Sequence, residues 1–143
     1  MSDPDARREL ITETWAAAWD HGDVDALDTL LSPDYRRHGG PGDAGQDLAT
    51  FKASIVTTRQ AFPDLVTTID EVVVEGDRAA VRWHTTGRHD GSFLGVPPTH
   101  RQVEVGGATF ALFEGDRIVE EQVTWDPRAL LTALGIITVG QDR

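Results

Sequence analysis

Two long strand-like segments, joined by a corner rich in glycine and proline, constrain the fold of this chain most. The first covers residues 79–89, the corner covers residues 90–100, and the returning segment covers residues 101–113. The turn Glu114-Gly115-Asp116 then leads into a last segment, residues 117–126. Runs of β-branched and aromatic residues bounded by turn residues are typical of antiparallel hairpins. We therefore expect a curved antiparallel sheet that carries most of the residues with candidate chemistry.

The pattern that precedes the sheet predicts helices. Apolar residues recur every three or four positions over residues 4–21, which places Trp15 and Trp19 on one stripe. Gly22 is placed to end that helix in a left-handed conformation. A second, short helix is predicted over residues 24–31.

The remaining segments complete an α+β pattern. A third helix is predicted over residues 48–62, before a proline that cannot continue it. A strand over residues 65–75 then pairs with the first of the long segments through a tight turn, and a last helix covers residues 127–134. The connecting segments are an extended piece at 35–38, a glycine-rich surface loop at 39–46 and a frayed tail at 136–143. We expect one α+β domain, residues 1–143, with three N-terminal helices packed on the antiparallel sheet.

Composition excludes several classes of protein. The chain has no cysteine, so disulfides and thiolate chemistry are excluded, and its five histidines show no metal-binding spacing. A formal charge of −11 with a single lysine argues against nucleic-acid binding. No apolar run approaches the roughly 20 residues that cross a membrane, and no secretory signal is visible, so we expect a cytoplasmic protein. Nucleotide-binding and acyl-serine motifs are also missing from the sequence.

Two sequence segments carry a resemblance to a known family. They are Arg59-Gln60-Ala61-Phe62-Pro63-Asp64-Leu65, similar to an R-x-A-F-P-D-L motif, and Gly87-Arg88-His89-Asp90-Gly91-Ser92-Phe93-Leu94-Gly95-Val96-Pro97-Pro98-Thr99, similar to G-x-H-x-G-x-F-x-G-x-P-P-T. The ending Trp125-Asp126 and Leu130-Leu131-Thr132-Ala133-Leu134-Gly135 continues the match. On these motifs the chain resembles the SnoaL-like polyketide cyclases, or ester cyclases, of the NTF2-like superfamily over nearly its whole length.

This resemblance implies a cone-shaped α+β barrel with a buried pocket for a small molecule, and a homodimer packed through the outer sheet face. It implies no metal and no cofactor. In the characterised cyclases, an aspartate acts as acid and base in an intramolecular aldol closure of a polyketide methyl ester. Alignment through Gly115 and Ile118 places that aspartate at Val123, and its assisting histidine at Ala108 or Thr109. Valine cannot transfer a proton, so the scaffold matches while the cyclase pair does not.

Three other residues are candidates for the proton transfer: His38, Glu121 and Asp126. Strand alternation turns Glu121 to the same face as Val123, where it serves either as a displaced acid/base or as a solvated carboxylate. Asp126 precedes a proline and is expected to cap the last helix, although a cap can also border a pocket. His38 matches a histidine common in the family and could donate or accept a proton.

Aromatic residues predict the lining of the pocket. Indole rings offer a large apolar wall with one N–H donor, and the alternative for them is a plain core. His89 is expected either to line the pocket or to hold the corner by a hydrogen bond. The resemblance adds two pocket positions, Trp19 and Ser54. The full predicted set is Trp19, Tyr35, Ser54, Phe62, Trp83, His89, Phe93, Phe110, Val123 and Trp125.

These observations predict a cofactor-independent cyclase or isomerase that acts by acid–base chemistry on a polyketide-like or other carbonyl compound. A cavity of about 300–500 Å³ would suit such a ligand. The first alternative is a non-catalytic binding protein on the same scaffold, favoured by Val123. The second is an epoxide hydrolase of the limonene type, for which Arg88 and Asp90 have suitable spacing.

Overall fold

The computed structural model describes residues 3–39, 45–93 and 95–135. Most of the predicted glycine-rich loop and the predicted tail lie outside these ranges. The elements, in chain order, are α1 (Pro4–Trp15), a π-helical segment (Ala16–Asp20), a 3-10 helix (Val24–Thr29), β1 (Leu31–His38), α2 (Leu48–Ala61), β2 (Val66–Glu75), β3 (Arg78–Arg88), β4 (Gln102–Glu114), β5 (Arg117–Trp125) and α3 (Pro127–Ala133). The fold is therefore α+β, as predicted. Within these ranges no helix is both long and apolar enough to span a membrane.

The sheet has five strands in the order β1-β5-β4-β3-β2. The three pairs among β2, β3, β4 and β5 are antiparallel, in agreement with the two predicted hairpins. The prediction of a purely antiparallel sheet was wrong, because β1 adds a fifth strand that runs parallel to β5. Its register shifts between Leu31 and Arg36, and Pro33 lies in that irregularity. Proline cannot donate a ladder hydrogen bond, so the sequence at this point predicted the end of a helix rather than a strand.

The helical segments before β2 also differ from the predicted three. The first helix begins at a cap in which Asp3 accepts a hydrogen bond from the Asp5 backbone N–H, and it changes to π-helical geometry over its last turn. Gly22 has a φ of 75°, the left-handed conformation expected of it. The second segment is a 3-10 helix that ends before β1, since Leu30 and Leu31 are buried at the entry to the strand.

Two apolar clusters fill the space between the helices and the inner face of the sheet. The larger one joins α1, α2 and the middle of the sheet through residues such as Ile11, Leu27, Ile55 and Ile118. The smaller one joins the end of α2 to α3 and consists of Ala61, Phe62, Leu65, Val103, Leu130 and Leu134. Trp19 packs against both clusters, and the candidate site lies where they meet.

One buried arginine ties α1 to the two hairpin turns. Arg7 is 6% exposed, and its guanidinium donates to the carbonyl oxygens of Gly76 and Gly115, both at 2.8 Å. The same group lies 4.1 Å from the centre of the Phe113 ring. Because the two turns belong to different hairpins, this contact fixes their relative position beneath the helix.

Candidate functional site

A cavity of about 200 Å³ opens between the helices and the inner face of the sheet. It is smaller than predicted, and all four tryptophans of the chain line it. The described lining residues are Trp15, Trp19, Arg37, Thr58, Phe62, Leu65, Thr67, Trp83, Thr85, Gly87, Phe93, Val103, Val105, Thr109, Val123, Trp125 and Leu130. Most of this surface is apolar, so the site favours an organic ligand with few polar groups.

Strand alternation builds the wall of the cavity. Every second residue of β3, β4 and β5 faces inward, which places Thr109 opposite Val123 and Trp83 opposite Gly107, diagonally next to Thr109. Gly107 makes room for this arrangement, because a Cβ atom there would lie 2.5 Å from the backbone oxygen of Thr124 and 2.6 Å from Cζ2 of Trp83. The indole Nε1 of Trp83 donates to the hydroxyl oxygen of Thr109 at 3.0 Å. That hydrogen bond fixes the ring as a flat apolar surface.

The charged member of the described lining is Arg37, and it comes from β1. The parallel pairing of β1 and β5 places Arg37 opposite Glu121. Nη1 of Arg37 donates to Oε1 of Glu121 at 3.4 Å, and the guanidinium lies 4.3 Å from the centre of the Phe51 ring. The hydroxyl of Tyr35 donates to the same Oε1. The cavity therefore has one cationic wall with a carboxyl group directly behind it.

Burial shifts the pKa values of two of these residues, Glu121 and Tyr35. Glu121 is 2% exposed, and this burial raises the pKa of its carboxyl, while the Arg37 charge and the Tyr35 hydrogen bond oppose the shift. The pKa of Tyr35 is raised by burial and then by the neighbouring Glu121 charge, so its hydroxyl remains a donor. A carboxyl group with a raised pKa can take up and return a proton near neutral pH.

The structure places the three predicted proton carriers differently. Glu121 lies next to the cavity behind Arg37, two residues from the lining residue Val123. Asp126 is exposed and accepts a hydrogen bond from the Arg128 backbone N–H at 2.9 Å, so the predicted helix cap is confirmed. His38 follows Arg37 on β1 and lies against Gly45, outside the described lining.

Of the predicted binding residues, Trp19, Phe62, Trp83, Phe93, Val123 and Trp125 line the cavity. Tyr35 is buried beneath it, bonded to the carboxyl behind Arg37, and the hydroxyl of Ser54 is bonded to the Phe51 carbonyl oxygen. Phe110 is 53% exposed, because its position in β4 alternates with that of Thr109 and turns to the outer face of the sheet.

His89 is fully buried at the corner. Its Nδ1 accepts a hydrogen bond from the Thr99 backbone N–H at 3.1 Å and contacts the Thr99 hydroxyl at 3.0 Å. Its ring packs against Phe62, with the ring centres 5.4 Å apart. These are the corner contacts expected of it, and they lie behind the lining residue Phe62 rather than in the described lining.

Sequence reasoning missed Arg37, although a signal was present. The extended piece at 35–38 was recognised, and alternation from Tyr35 puts Arg37 on the same face. What was not visible was the partner strand, because parallel pairing with β5 joins segments far apart in the chain. The described residues contain no group of three or more histidine, aspartate or glutamate side chains that could hold a metal ion.

Comparison with solved structures finds the same fold in bacterial proteins. TsrD from Streptomyces laurentii is 31% identical with a TM-score of 0.85, covering 96% of this chain and 100% of that chain. AclR from Streptomyces galilaeus, described as a candidate hydroxylase, is 29% identical with a TM-score of 0.84, covering 95% and 100%. IdmH from Streptomyces antibioticus, described as a candidate polyketide cyclase, is 31% identical with a TM-score of 0.77, covering 90% and 98%.

The family comparison agrees with the motifs quoted above. No curated protein gives a significant match. The sequence profile described as SnoaL-like polyketide cyclase matches residues 9–134, which is most of the chain. This match confirms the resemblance drawn from the two segments around Phe62 and His89. The chain belongs to the SnoaL-like polyketide cyclase family.

Proposed function

We propose that this protein is a cofactor-independent cyclase or isomerase that moves a proton on a carbonyl compound, with Glu121 as the acid/base. One observation carries the proposal. A buried carboxyl group with a raised pKa lies behind Arg37, and Arg37 lines an apolar cavity. Titratable groups whose pKa is shifted by burial and by a specific charged partner are concentrated at catalytic sites.

The proposed chemistry uses the two side chains together. A carbonyl oxygen of the substrate binds at the Arg37 guanidinium, and ionised Glu121 removes a proton from the adjacent carbon. The C–H bond breaks, its electron pair forms the enolate, and Arg37 stabilises the negative oxygen. In a cyclase, the enolate carbon then attacks a second carbonyl group of the same molecule, and Glu121 gives its proton to the alkoxide that forms. In an isomerase, Glu121 instead gives that proton to a different carbon of the conjugated enolate.

The carboxyl group of this mechanism is displaced by two residues from the position that the family uses. Val123 faces Thr109 across the β4–β5 pair, whereas Glu121 faces Ala111 there and Arg37 on the β1 side. Since residues two apart on a strand share a face, the displaced carboxyl remains on the cavity side. Asp126 and His38 are weaker candidates, because Asp126 is an exposed cap and His38 is partly exposed beside Gly45, whereas Glu121 is buried and bonded to the lining residue Arg37.

Proton exchange tests this proposal without knowledge of the natural substrate. The bicyclic ketone 2-tetralone in D₂O would be followed by NMR for loss of its α-protons. We expect Glu121→Gln to reduce the enzyme-dependent rate by about 10²-fold or more, the usual contribution of a general base. Glu120→Gln is the matched control, because Glu120 is the neighbouring carboxylate and its contact is with Gln122 at 3.3 Å.

The non-catalytic binding protein is the second candidate function. It is favoured by Val123 and by the described lining, which includes no aspartate or glutamate. A wild-type exchange rate no higher than that of Glu121→Gln would support it. The epoxide hydrolase alternative is not proposed, since Arg88 and Asp90 are exposed, bind each other at 3.0 Å and lie outside the described lining.

We also propose that the protein forms a homodimer through the outer face of its sheet. Val73, Ala80 and Phe110 are neighbours across three strands on that face, and Val73 and Phe110 are more than half exposed. Contiguous exposed apolar residues of this kind mark interaction surfaces. Phe110→Glu should convert the dimer to a monomer in light scattering after gel filtration. Val56→Glu, which alters an exposed apolar residue of α2, should leave the dimer intact.

A further inference from the structure

We propose that the cavity binds a ligand that carries a carboxylate on a small aromatic body, with Arg37 holding the carboxylate and Glu121 taking up a proton as it binds. This inference goes beyond the proposed function of the same site: a bound carboxylate occupies Arg37 and protonates Glu121, so such a ligand inhibits the proton abstraction proposed above rather than serving as its substrate. Three features of the cavity support it: the N–H donors that Arg37 can offer to a ligand, the hydrogen-bond partners of the buried Glu121 carboxyl group, and the aromatic walls.

The guanidinium is available to a ligand. Arg37 uses one N–H of Nη1, out of the five N–H donors of the guanidinium, on Glu121. The 3.4 Å distance is long for a charge-assisted hydrogen bond, usually about 2.7–2.9 Å. The Phe51 ring, 4.3 Å from the guanidinium carbon, supports the plane of the group. A planar fork held in this way matches the two oxygens of a carboxylate.

The carboxyl group behind Arg37 has a second partner. The Tyr35 hydroxyl donates to Oε1, so Glu121 keeps a hydrogen bond when Arg37 turns to a ligand. The charged or titratable groups that act on Glu121 are Arg37 and Tyr35, both from β1, and its β4 neighbour is the apolar Ala111. Two buried carboxylates sharing one guanidinium repel each other, so binding of an anion favours protonation of Glu121.

The rest of the cavity determines the size and the apolar character of the ligand's ring system. Indole rings from α1, the π-helical segment, β3 and β5 surround the space, and a volume of about 200 Å³ limits it to a small ring system. Trp83 is already hydrogen-bonded to Thr109, so it offers an apolar ring face. Arg37 is therefore the main residue of the described lining that can bind a charged group of the ligand.

Calorimetric titration with 2-naphthoate and its neutral analogue 2-naphthamide tests the inference. At pH 6 we expect wild type to bind the carboxylate at least about tenfold more tightly than the amide, or ~1.4 kcal/mol. Arg37→Leu should remove this preference and change amide binding by less than about twofold, since only the carboxylate uses the cation. Arg36→Leu removes an equal charge from the exposed neighbour and should change neither affinity.

Proton uptake gives a second readout that does not depend on the folding of Arg37→Leu. Titrations in buffers of different ionisation enthalpy should show that wild type takes up protons with naphthoate but not with naphthamide. Glu121→Gln should abolish the uptake and tighten naphthoate binding, because the competing charge is gone. The double variant Arg37→Leu/Glu121→Gln leaves no unpaired buried charge and should bind both probes with equal, weak affinity.

Several results would overturn the inference. They are equal wild-type affinity for the two probes, no detectable binding of either, full naphthoate affinity in the double variant, or proton uptake that persists in Glu121→Gln. The proposed function fails differently. If Glu121→Gln exchanges the protons of 2-tetralone as fast as wild type, the catalytic role falls while the carboxylate preference stands.

Discussion

The buried arginine beneath the two hairpin turns permits a quantitative prediction. Arg7→Met keeps most of the apolar stem but removes the hydrogen bonds to the carbonyl oxygens of Gly76 and Gly115. Hydrogen bonds from a charged group contribute about 1.5–3 kcal/mol each. Both turns are exposed, so water can replace the lost donors and the lower end of that range applies.

Two further contacts of Arg7 change the expected loss in the free energy of unfolding. Its stacking on Phe113 at 4.1 Å adds about 1 kcal/mol. Its ion pair with Asp77, at 3.5 Å, adds little because the Asp77 side chain is 69% exposed and screened by solvent. We therefore expect Arg7→Met to lower the free energy of unfolding by about 2–4 kcal/mol, since these contributions are not fully additive.

Chemical denaturation with urea, followed by tryptophan fluorescence, measures this loss directly. At about 4 °C for each kcal/mol, the thermal midpoint should fall by roughly 8–16 °C. Arg8→Met is the matched control, because Arg8 pairs within α1 with exposed Asp5 and should change stability by less than about 0.5 kcal/mol. Arg7→Lys keeps the charge but not the fork, and should lose about half as much as Arg7→Met. Equal stability of Arg7→Met and Arg8→Met would refute this reasoning.

Three other predictions follow from close contacts and burial. Burial raises the pKa of Glu121 in the folded protein, so the protonated carboxyl group contributes stability at low pH. That stability is lost as the pH rises from the ordinary pKa of a glutamate through the folded pKa, by up to ~1.4 kcal/mol per pH unit. Glu121→Gln should abolish this loss in urea titrations at successive pH values. Gly107→Ala would bring a Cβ atom 2.5 Å from the Thr124 backbone oxygen and 2.6 Å from Trp83, so it should displace both and cost about 1–3 kcal/mol, with a shifted emission maximum. Gly106→Ala, with its nearest contact at 3.4 Å, should be nearly neutral. Gly91→Ala would place a Cβ atom 2.3 Å from a backbone oxygen at the end of α2, and should lower the thermal midpoint more than Gly106→Ala does.

Local sequence patterns predicted the hairpins well, because their information lies in neighbouring residues. The turns at Gly76 and Gly115 and the stop at Pro63 are all readable within a few positions, and the observed strand ends agree within about two residues. β1 was not predictable in the same way. Its partner is more than 80 residues away, and Pro33 removes a ladder donor where a strand signal would be sought.

The faces of β4 show a second limit of sequence reasoning. Both faces of this strand are apolar: Val105, Ala111 and Phe113 turn inward, while Phe110 turns outward. Alternation alone states which residues share a face, but not which face meets the helices. Packing in the two apolar clusters, with residues of α1, α2 and α3, fixes that choice, so alternation alone did not show that Phe110 faces away from the pocket.

The location of the polar centre within the cavity follows from the same parallel strand. A carboxylate at residue 123 would face Thr109, in the middle of the antiparallel part of the sheet. A carboxylate at Glu121 instead faces Arg37, because β1 lies in register with β5 there. Moving the acid by two residues along one strand face therefore exchanges a neutral hydroxyl partner for a cation. The apolar wall is kept while a cation is added, and under the function proposed above the β1–β5 border, rather than the β4–β5 pair, is the part of the cavity in which proton transfer and ligand choice are coupled.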